Sequence, residues 1–356
     1  MAAEFFLPDK VISGSGALQS AVPELVKMGK KALIVTGKTV CRLQGFKALL
    51  SGLDESETEY VVFDGITGEP DDKMIEAGAQ VYEQSGCDFI ISMGGGSPID
   101  SMKAIAVRTA SGQNVCDFYG KVIELELPPM AAIPTTAGTG SEATQFTVIT
   151  DTRRDIKMLL KGPSLMPDLA VIDPTLGVSA PKGITASTGL DALTHAVEAY
   201  TSRKAQPLTD DLALSAVKRI FKYLPAAYKN GNDLQAREQM AMAALESGIV
   251  INNASVTIVH GMSRPIGALF HVPHGMSNAM LLPKCMSFAA AGAPERFAEL
   301  GRATGAAAPS ERDKEAAEKF VAALGEICDV CEIPTPGRYG INKDDFMTRI
   351  DKMADD

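Results

Sequence analysis

The sequence predicts an α/β protein in which a mostly parallel, Rossmann-like domain, residues 1–181, is followed by an all-helical domain, residues 182–356. In the first half, short β-branched runs alternate with amphipathic segments, the pattern of a parallel sheet covered by helices on both faces. Two of those runs end in glycine-rich segments, at the strand ends where such sheets bind ligands. After Pro181 long helical patterns predominate, and no convincing strand follows.

The predicted strands of the first domain are short apolar runs bounded by polar, glycine or proline residues. Amphipathic stretches between them, notably 70–85 and 98–109, are predicted helices. The predicted strands are Lys30–Gly37, Tyr60–Gly65, Asp88–Ser97, Pro129–Thr136 and Leu169–Pro174.

Composition excludes several classes of protein. The chain has 356 residues, of which 46% are hydrophobic, and this describes a globular protein with an ample core. A net charge of -10 argues against nucleic acid or an anionic membrane as a partner, because either requires a basic surface. A small molecule is therefore the expected partner.

The chain is predicted to be cytoplasmic. Its start, MAAEFFLPDKVISG, lacks a basic segment followed by an apolar one, and no apolar run approaches the roughly 18 residues that span a bilayer. The six cysteines lack the regular spacing of a disulfide framework, and we therefore expect reduced thiols. Cys328 and Cys331 form a lone CxxC motif, which we interpret as helix packing.

The first glycine-rich segment, Gly94-Gly95-Gly96-Ser97, follows an apolar strand and precedes a helix predicted to begin at Pro98. Glycines allow backbone N–H groups to approach an anion, and the helix offers its positive end. The segment predicts a phosphate site, although an ordinary tight turn is the alternative.

The second segment, Pro134 to Glu142, also follows an apolar strand and is rich in Thr and Gly. Two such loops at the same sheet edge favour a dinucleotide over a single phosphate, because hydroxyls and small residues suit a diphosphate and a ribose. A polar turn without a ligand is the alternative here.

The histidines of the second domain predict a metal site. All four histidines of the chain lie between residues 195 and 274, and Asp191 precedes His195 by four residues, one turn of a helix. Asp191, His195, His260 and His274 form an N3O set without cysteine, which suits Zn(II) or Fe(II). Core or capping histidines are the alternative.

Long helical patterns fill the rest of the second domain. We expect Thr185, Ser187 or Thr188 to cap the helix that carries Asp191. We also expect the two domains to border one ligand cleft. The clearest patterns are Asp191–Ser202, Thr209–Tyr223, Leu234–Ile251 and Asp313–Cys328.

Five motifs, in order along the chain, resemble those of the iron-containing (group III) alcohol dehydrogenases. The resemblance covers most of the chain, from residue 1 to about residue 350. The motifs are GGGSPIDSMK (94–103), PTTAGTGSE (134–142), DPTL (173–176), GLDALTHAVEAY (189–200) and HGMSRPIGALFHVPHG (260–275).

The resemblance implies a homo-oligomer that acts as a metal-dependent, NAD(P)-linked alcohol dehydrogenase or aldehyde reductase on a short-chain alcohol or aldehyde. It implies that Asp191, His195, His260 and His274 hold Fe2+, with Zn2+ as the alternative. It also implies that Gly95, Gly96 and Ser97 hold the pyrophosphate of NAD or NADP, that Thr136 and Thr139 contact the nicotinamide side, and that Lys157 contacts a ribose. The full predicted cofactor set is Gly37, Gly94, Gly95, Gly96, Ser97, Asp100, Thr135, Thr136, Thr139, Ser141 and Lys157.

Two departures from the family pattern, Gly37 and Arg264, and one further histidine, His271, carry predictions. Gly37 stands where many relatives have an Asp that would repel a 2′-phosphate, so we expect NADP to be tolerated. Arg264 stands where relatives often have a histidine, and its guanidinium could bind an anionic substrate, with a structural ion pair as the alternative. His271 could relay the alcohol proton, with a packed core histidine as the alternative. The chain also ends at Asp356, where relatives usually continue for a few helical turns.

Two other functions remain open at this point. One is a sibling enzyme with the same fold, such as a zinc-dependent glycerol dehydrogenase or a dehydroquinate-synthase-like lyase. The other is a non-catalytic protein that binds metal and nucleotide.

Overall fold

The computed structural model describes residues 3–354, which form two compact units. One unit spans residues 6–179, and the other comprises residues 3–5 and 180–354. The division into functional domains after residue 181 stays a prediction.

The first unit contains a six-stranded parallel sheet with the strand order β1-β8-β5-β4-β2-β3. All five predicted strands are present, each shortened where Gly, Pro or polar residues end the run. β1 was not predicted, because four residues are too few for a clear alternation. The strands are β1 Lys10–Ser13, β2 Lys31–Val35, β3 Glu59–Phe63, β4 Phe89–Gly94, β5 Met130–Pro134 and β8 Leu169–Ile172.

Helices cover both faces of this sheet. Leu33 and Val35 of β2 belong to one core cluster, whereas Ala32 and Ile34 belong to the other, as the alternation of side chains along a strand requires. Burial on both faces explains why the strands are almost continuously apolar. The covering helices are α1 Ala17–Met28, α2 Gln44–Glu55, α3 Asp72–Ser85 and α4 Gly96–Ser111.

A two-stranded antiparallel hairpin, β6 Phe146–Asp151 and β7 Ile156–Lys161, was missed by the sequence analysis. Its turn contains no Asn-Gly or similar signal. Instead, Asp151 accepts hydrogen bonds from the backbone N–H groups of Arg153 and Arg154, at 2.9 and 3.2 Å, and Asp155 has a φ of 55°. The turn is therefore built by a side chain rather than by a glycine.

The second unit is helical, as predicted, and residues 180–354 contain no strand. Three of its helices extend the predicted patterns by up to six residues at an end, whereas the helix that carries Asp191 begins nine residues earlier than predicted and ends one residue sooner. The helices are α5 Lys182–Thr201, α6 Pro207–Lys229, α7 Leu234–Asn253, α8 Ile258–Phe270, α9 His274–Ala290, α10 Pro294–Thr304, α11 Asp313–Val330, α12 Pro336–Tyr339, α13 Lys343–Thr348 and α14 Ile350–Ala354.

Two predicted helix starts were wrong. α5 begins at Lys182 after Pro181, so Thr185, Ser187 and Thr188 lie inside the helix and do not cap it. The hydroxyls of Ser187 and Thr188 instead donate to the carbonyl of Ile184, a bond that lets these residues sit within a helix. α4 begins at Gly96, two residues before Pro98, because proline is tolerated throughout the first turn.

Within residues 3–354, no single helix is long and apolar enough to cross a bilayer. By length and composition alone, α7 and α8 taken together would pass, but they are bent by 102° at their junction.

Candidate active site

The two glycine-rich loops of the first unit are neighbours. β4 and β5 pair in parallel with Gly94 opposite Pro134, and the N–H of Thr135 donates to the carbonyl of Gly94 at 2.8 Å. Both loops therefore leave the same edge of the sheet side by side, as the sequence predicted.

The loops also pack against each other. A Cβ atom added to Gly96 would lie 2.8 Å from Cγ2 of Thr139, and one added to Gly95 would lie 3.3 Å from Oγ1 of Thr136. Larger residues at 95 and 96 would push the loops apart. No side chain caps the start of α4, and no acidic residue lies in its first turn. The geometry therefore suits an anion at this helix terminus.

Lys103, which was not among the predicted site residues, forms hydrogen bonds to the end of the second glycine-rich loop and to the residues that follow it. Its side chain is fully buried, and its ammonium donates to the carbonyls of Ser141, Thr144 and Phe146 at 2.6–2.9 Å. Burial lowers the pKa of Lys103 to about 8, so it stays protonated at neutral pH. Its place in the GGGSPIDSMK motif, six residues after Ser97, was the available signal.

Three predicted cofactor residues of this region also serve the fold. Thr135 and Ser141 are buried beside the sheet edge. Asp100 faces strand β6, where its Oδ2 accepts the N–H of Val148 at 2.9 Å, and burial raises the pKa of its carboxyl group. The roles of these residues toward a cofactor stay predictions.

Gly37 and Lys157, two further predicted cofactor residues, each have a close neighbour in the fold. A Cβ atom at Gly37 would lie 2.8 Å from the carbonyl oxygen of Ile66, so packing alone favours glycine there. The side chain of Lys157 on β7 is 22% exposed and pairs with Glu69, with Nζ and Oε2 2.5 Å apart.

In the second unit, three helices bring the four candidate metal ligands together. Asp191 and His195 lie one turn apart on α5, His260 lies in the first turn of α8, and His274 begins α9. Oδ1 of Asp191 is 3.9, 4.0 and 3.7 Å from Nε2 of His195, His260 and His274, respectively. One ligand atom from each residue lies within 4.8 Å of all the others.

This donor set fits one divalent ion. Bonds of about 2.0–2.2 Å to imidazole nitrogen and carboxylate oxygen place the ligand atoms about 3–4 Å apart, close to the observed spacing. Burial disfavours the charged form of Asp191, but the adjacent His195, His274 and His260 outweigh that effect and lower its pKa. Asp191, His195 and His260 are buried, whereas the side chain of His274 is 39% exposed. Access to the cluster is therefore from the His274 side.

Two further residues contact this cluster and were missed. Glu198, buried on α5, lies 2.5 Å from Nδ1 of His260. Nδ2 of Asn278 donates to Oδ1 of Asp191 at 2.7 Å and lies 3.0 and 3.2 Å from Nε2 of His260 and His274. Their spacing was a usable signal, because Glu198 lies seven residues after Asp191 and Asn278 four residues after His274, each on the same helix face.

Arg264 and His271 are both exposed. Arg264 lies one turn after His260 on α8 and forms no ion pair with any residue in the range 3–354. His271 ends α8 with a φ of 53°, in the left-handed region, so the alternative of a packed core histidine was wrong. Their substrate and proton-transfer roles are not tested by this geometry.

Comparison with known proteins agrees with this arrangement. The family model described as iron-containing alcohol dehydrogenase matches residues 8–174, and the model of that family's C-terminal part matches residues 185–356. A choline dehydrogenase of Bacillus subtilis is 35% identical over 98% of this chain and 88% of its own length. An NAD-dependent methanol dehydrogenase of Bacillus methanolicus is 36% identical over 96% of this chain and 91% of its own.

A solved structure of a 1,3-propanediol oxidoreductase superposes with a TM-score of 0.96 at 34% identity, covering 100% of this chain and 94% of that chain. The predicted family resemblance and fold class are thereby confirmed. The paired loops and the cluster of one carboxylate and three histidines are consistent with these matches. The chain therefore belongs to the iron-containing alcohol dehydrogenase family, and it is an oxidoreductase.

Proposed function

We propose that the chain is a metal-dependent, NAD(P)-linked alcohol dehydrogenase and aldehyde reductase for a short-chain substrate that carries a polar or anionic group. One observation supports this most strongly. Asp191, His195, His260 and His274, from three helices, bring their ligand atoms within 4.8 Å of one another. No structural role requires a buried carboxylate and three imidazoles at one point.

These four residues would hold Fe2+ or Zn2+, since both ions accept nitrogen and oxygen donors. Bound there, the ion supplies a Lewis acid that stabilises the charge developing on an alcohol or carbonyl oxygen. Asp191, His195 and His260 are buried, so the chain shields these three ligands from solvent. The partly exposed side chain of His274 leaves that side of the cluster open to the substrate.

The paired loops of the first unit support NAD or NADP as the hydride carrier. Gly95, Gly96 and Ser97 would hold the pyrophosphate at the start of α4, with Thr136 and Thr139 in the adjoining loop. A relative named as an NAD-dependent methanol dehydrogenase supports the coenzyme class. Since Gly37 offers no carboxylate to repel a 2′-phosphate, we also propose that NADP is used.

The names of relatives support a small alcohol as substrate. Choline, methanol and 1,3-propanediol are all short-chain alcohols. Arg264 supports a polar or anionic group on the substrate of this chain. Its exposed guanidinium, four residues from the ligand His260, forms no ion pair within residues 3–354 and could form charge-assisted hydrogen bonds to an anion.

The test is oxidation of NADH and NADPH by anaerobically purified protein, with Fe(II) or Zn(II) restored and a panel of neutral, hydroxylated and anionic short aldehydes. We expect turnover that depends on the metal and on the aldehyde, with both coenzymes. The proposal fails if no combination of metal and aldehyde gives turnover. NADPH turnover lower than NADH turnover by about a hundredfold would defeat the NADP proposal alone. Wild-type kinetics are preferable to a Gly37→Asp variant, in which strain against Ile66 would obscure the charge effect.

The same assay tests Arg264. We expect Arg264→Ala to lower kcat/KM for anionic aldehydes by about 10- to 100-fold, the value of a charge-assisted hydrogen bond, and for neutral ones by less than about threefold. Arg203→Ala is the matched control, because Arg203 is also exposed and has no ion pair within residues 3–354. Equal losses for charged and neutral aldehydes would refute an anion-binding role.

The cytoplasmic location and the homo-oligomeric state stay predictions, and sedimentation would test the homo-oligomeric state.

A further inference from the structure

Glu198 is a fully buried carboxylate whose oxygens take three donors. Oε1 accepts the hydroxyl of Thr257 at 2.8 Å and the backbone N–H of Val259 at 2.6 Å, while Oε2 lies 2.5 Å from Nδ1 of His260. Burying a carboxylate is costly unless it is fully hydrogen-bonded, and this one is. Such an arrangement calls for an explanation beyond packing.

The three donors all belong to the start of helix α8. Thr257 is the N-cap residue, and its side chain makes no capping bond of its own. Glu198, from helix α5, supplies the acceptor instead, and its negative charge lies at the positive end of α8. One carboxylate thus fixes where α8 begins relative to the helix that carries Asp191 and His195.

The bond to His260 also decides which imidazole nitrogen carries the proton. Oε1 of Glu198 already accepts two donors, and Oε2 lies 2.5 Å from Nδ1 of His260, which is the geometry of a carboxylate that accepts the second N–H of a histidine. Nδ1 of His260 must therefore be the protonated nitrogen. The lone pair is then on Nε2, the atom 4.0 Å from Oδ1 of Asp191 and within the ligand cluster.

We propose that Glu198 is a positioning residue for the metal centre, which holds the ring of His260 in the orientation and tautomer that present Nε2 to the ion. The inference rests on the proposed metal binding. Carboxylates that accept the second N–H of a ligand histidine typically change metal affinity by about 10- to 100-fold when they are replaced. Glutamine would be a poor substitute, because its amide could donate to Nδ1 and so favour the proton on Nε2, the nitrogen that must ligate.

The experiment measures Fe(II) and Zn(II) affinity by competition with a chelator, without substrate or coenzyme. We expect Glu198→Gln to bind either ion about 10- to 100-fold more weakly than the wild type, and Glu198→Asp to recover part of that loss. Glu246→Gln is the matched control, since Glu246 is a buried glutamate of the same unit, on α7, that accepts the Ser215 hydroxyl away from the cluster. It should leave metal affinity within about threefold of wild type.

Thr257→Val separates the helix-capping role from the histidine-positioning role. It removes one hydrogen bond from Glu198 but leaves the contact with His260. We expect the free energy of unfolding to fall by about 1 kcal/mol, with metal affinity changed less than about threefold. A loss of affinity in Thr257→Val equal to that in Glu198→Gln would overturn the proposal in favour of a purely structural role.

A measurement on the wild type does not depend on the folding of any variant. Nitrogen-15 NMR of the imidazoles in the Zn(II)-loaded protein should show His260 protonated on Nδ1 with Nε2 free to ligate, and a proton on Nε2 would overturn the proposal. Metal affinity of Glu198→Gln within threefold of wild type would also overturn it, while leaving the proposed function intact. A wild-type protein that binds neither ion would instead refute the proposed function, and this inference with it.

Discussion

His271 ends helix α8 in the left-handed conformation, exposed and three residues before the ligand His274. Asparagine tolerates that conformation better than most residues, so His271→Asn removes the imidazole with little strain. If His271 relays the alcohol proton, the variant should lower kcat for alcohol oxidation by about 10- to 100-fold and remove one inflection from the pH–rate profile. Metal affinity and Tm serve as controls and should not change. An unaltered pH–rate profile would rule out the relay.

Glu142, in the second glycine-rich loop, is buried, and burial raises its pKa to about 7 although Lys103 opposes the shift. The folded protein therefore retains a proton that the unfolded chain releases above its pKa of about 4.5, so this group lowers stability as pH rises from about 4.5 to 7. Glu142→Gln cannot titrate. We expect its unfolding free energy to exceed that of the wild type by about 1–3 kcal/mol at pH 8, with the difference vanishing near pH 4.5.

Urea unfolding between pH 5 and pH 8 measures this difference. Glu126→Gln is the control, because it makes the same chemical change at an exposed glutamate outside the loop. The prediction fails if the difference in unfolding free energy between the wild type and Glu142→Gln is the same at every pH in this range. Glu142 would then be ionised at little cost in the folded protein.

At the scale of elements, the cluster depends on the close approach of α9 to α5. A Cβ atom at Gly275 would lie 2.7 Å from the carbonyl oxygen of Ser187 and 3.3 Å from Cβ of Asp191. Gly275→Ala should therefore push His274 away from Asp191, lower metal affinity at least about tenfold and destabilise the protein by about 1–3 kcal/mol.

Gly261→Ala provides the comparison for this change. Gly261 is equally close in sequence to a ligand, His260, but nothing lies within 4 Å of an added Cβ atom. Metal affinity should stay at the wild-type value, and stability should stay equal or rise slightly, because alanine favours a helix more than glycine does. Equal effects of the two substitutions would mean that the α5–α9 contact does not set the ligand geometry.

At the scale of the whole molecule, metal binding should stabilise one unit more than the other. All four ligands lie in the unit that contains residues 180–354, so the ion links α5, α8 and α9. At a free metal concentration of 100 times Kd, stability should rise by about 2.7 kcal/mol. Chelation should therefore lower hydrogen-exchange protection in α8 and α9 and leave β4 and β5 unaffected. Asp191→Asn should abolish this response, and an equal loss of protection in both units would contradict the assignment.

The family and the fold class could be predicted because their signals are local. A buried parallel strand is an apolar run of a few residues, and a helix has a period of 3.6 residues, so β2, β4, β5 and the long helices could be recognised one window at a time. The chain's four histidines, confined to 80 residues, similarly indicated one cluster. β1 and the β6–β7 hairpin escaped because their signals are short or depend on a turn built by the Asp151 side chain.

The sequence by itself determined the type of each element, the glycine-rich loops and the four residue types of the candidate metal site, since these depend on composition and spacing along the chain. Only the tertiary structure decided which neighbours those residues have. Glu198 reaches His260 from 62 positions away, Asn278 reaches Asp191 from 87, and Lys103 supports a loop about 40 residues further along the chain. Such contacts follow from how helices and strands pack on one another, and packing is a property of the whole fold that no local pattern encodes.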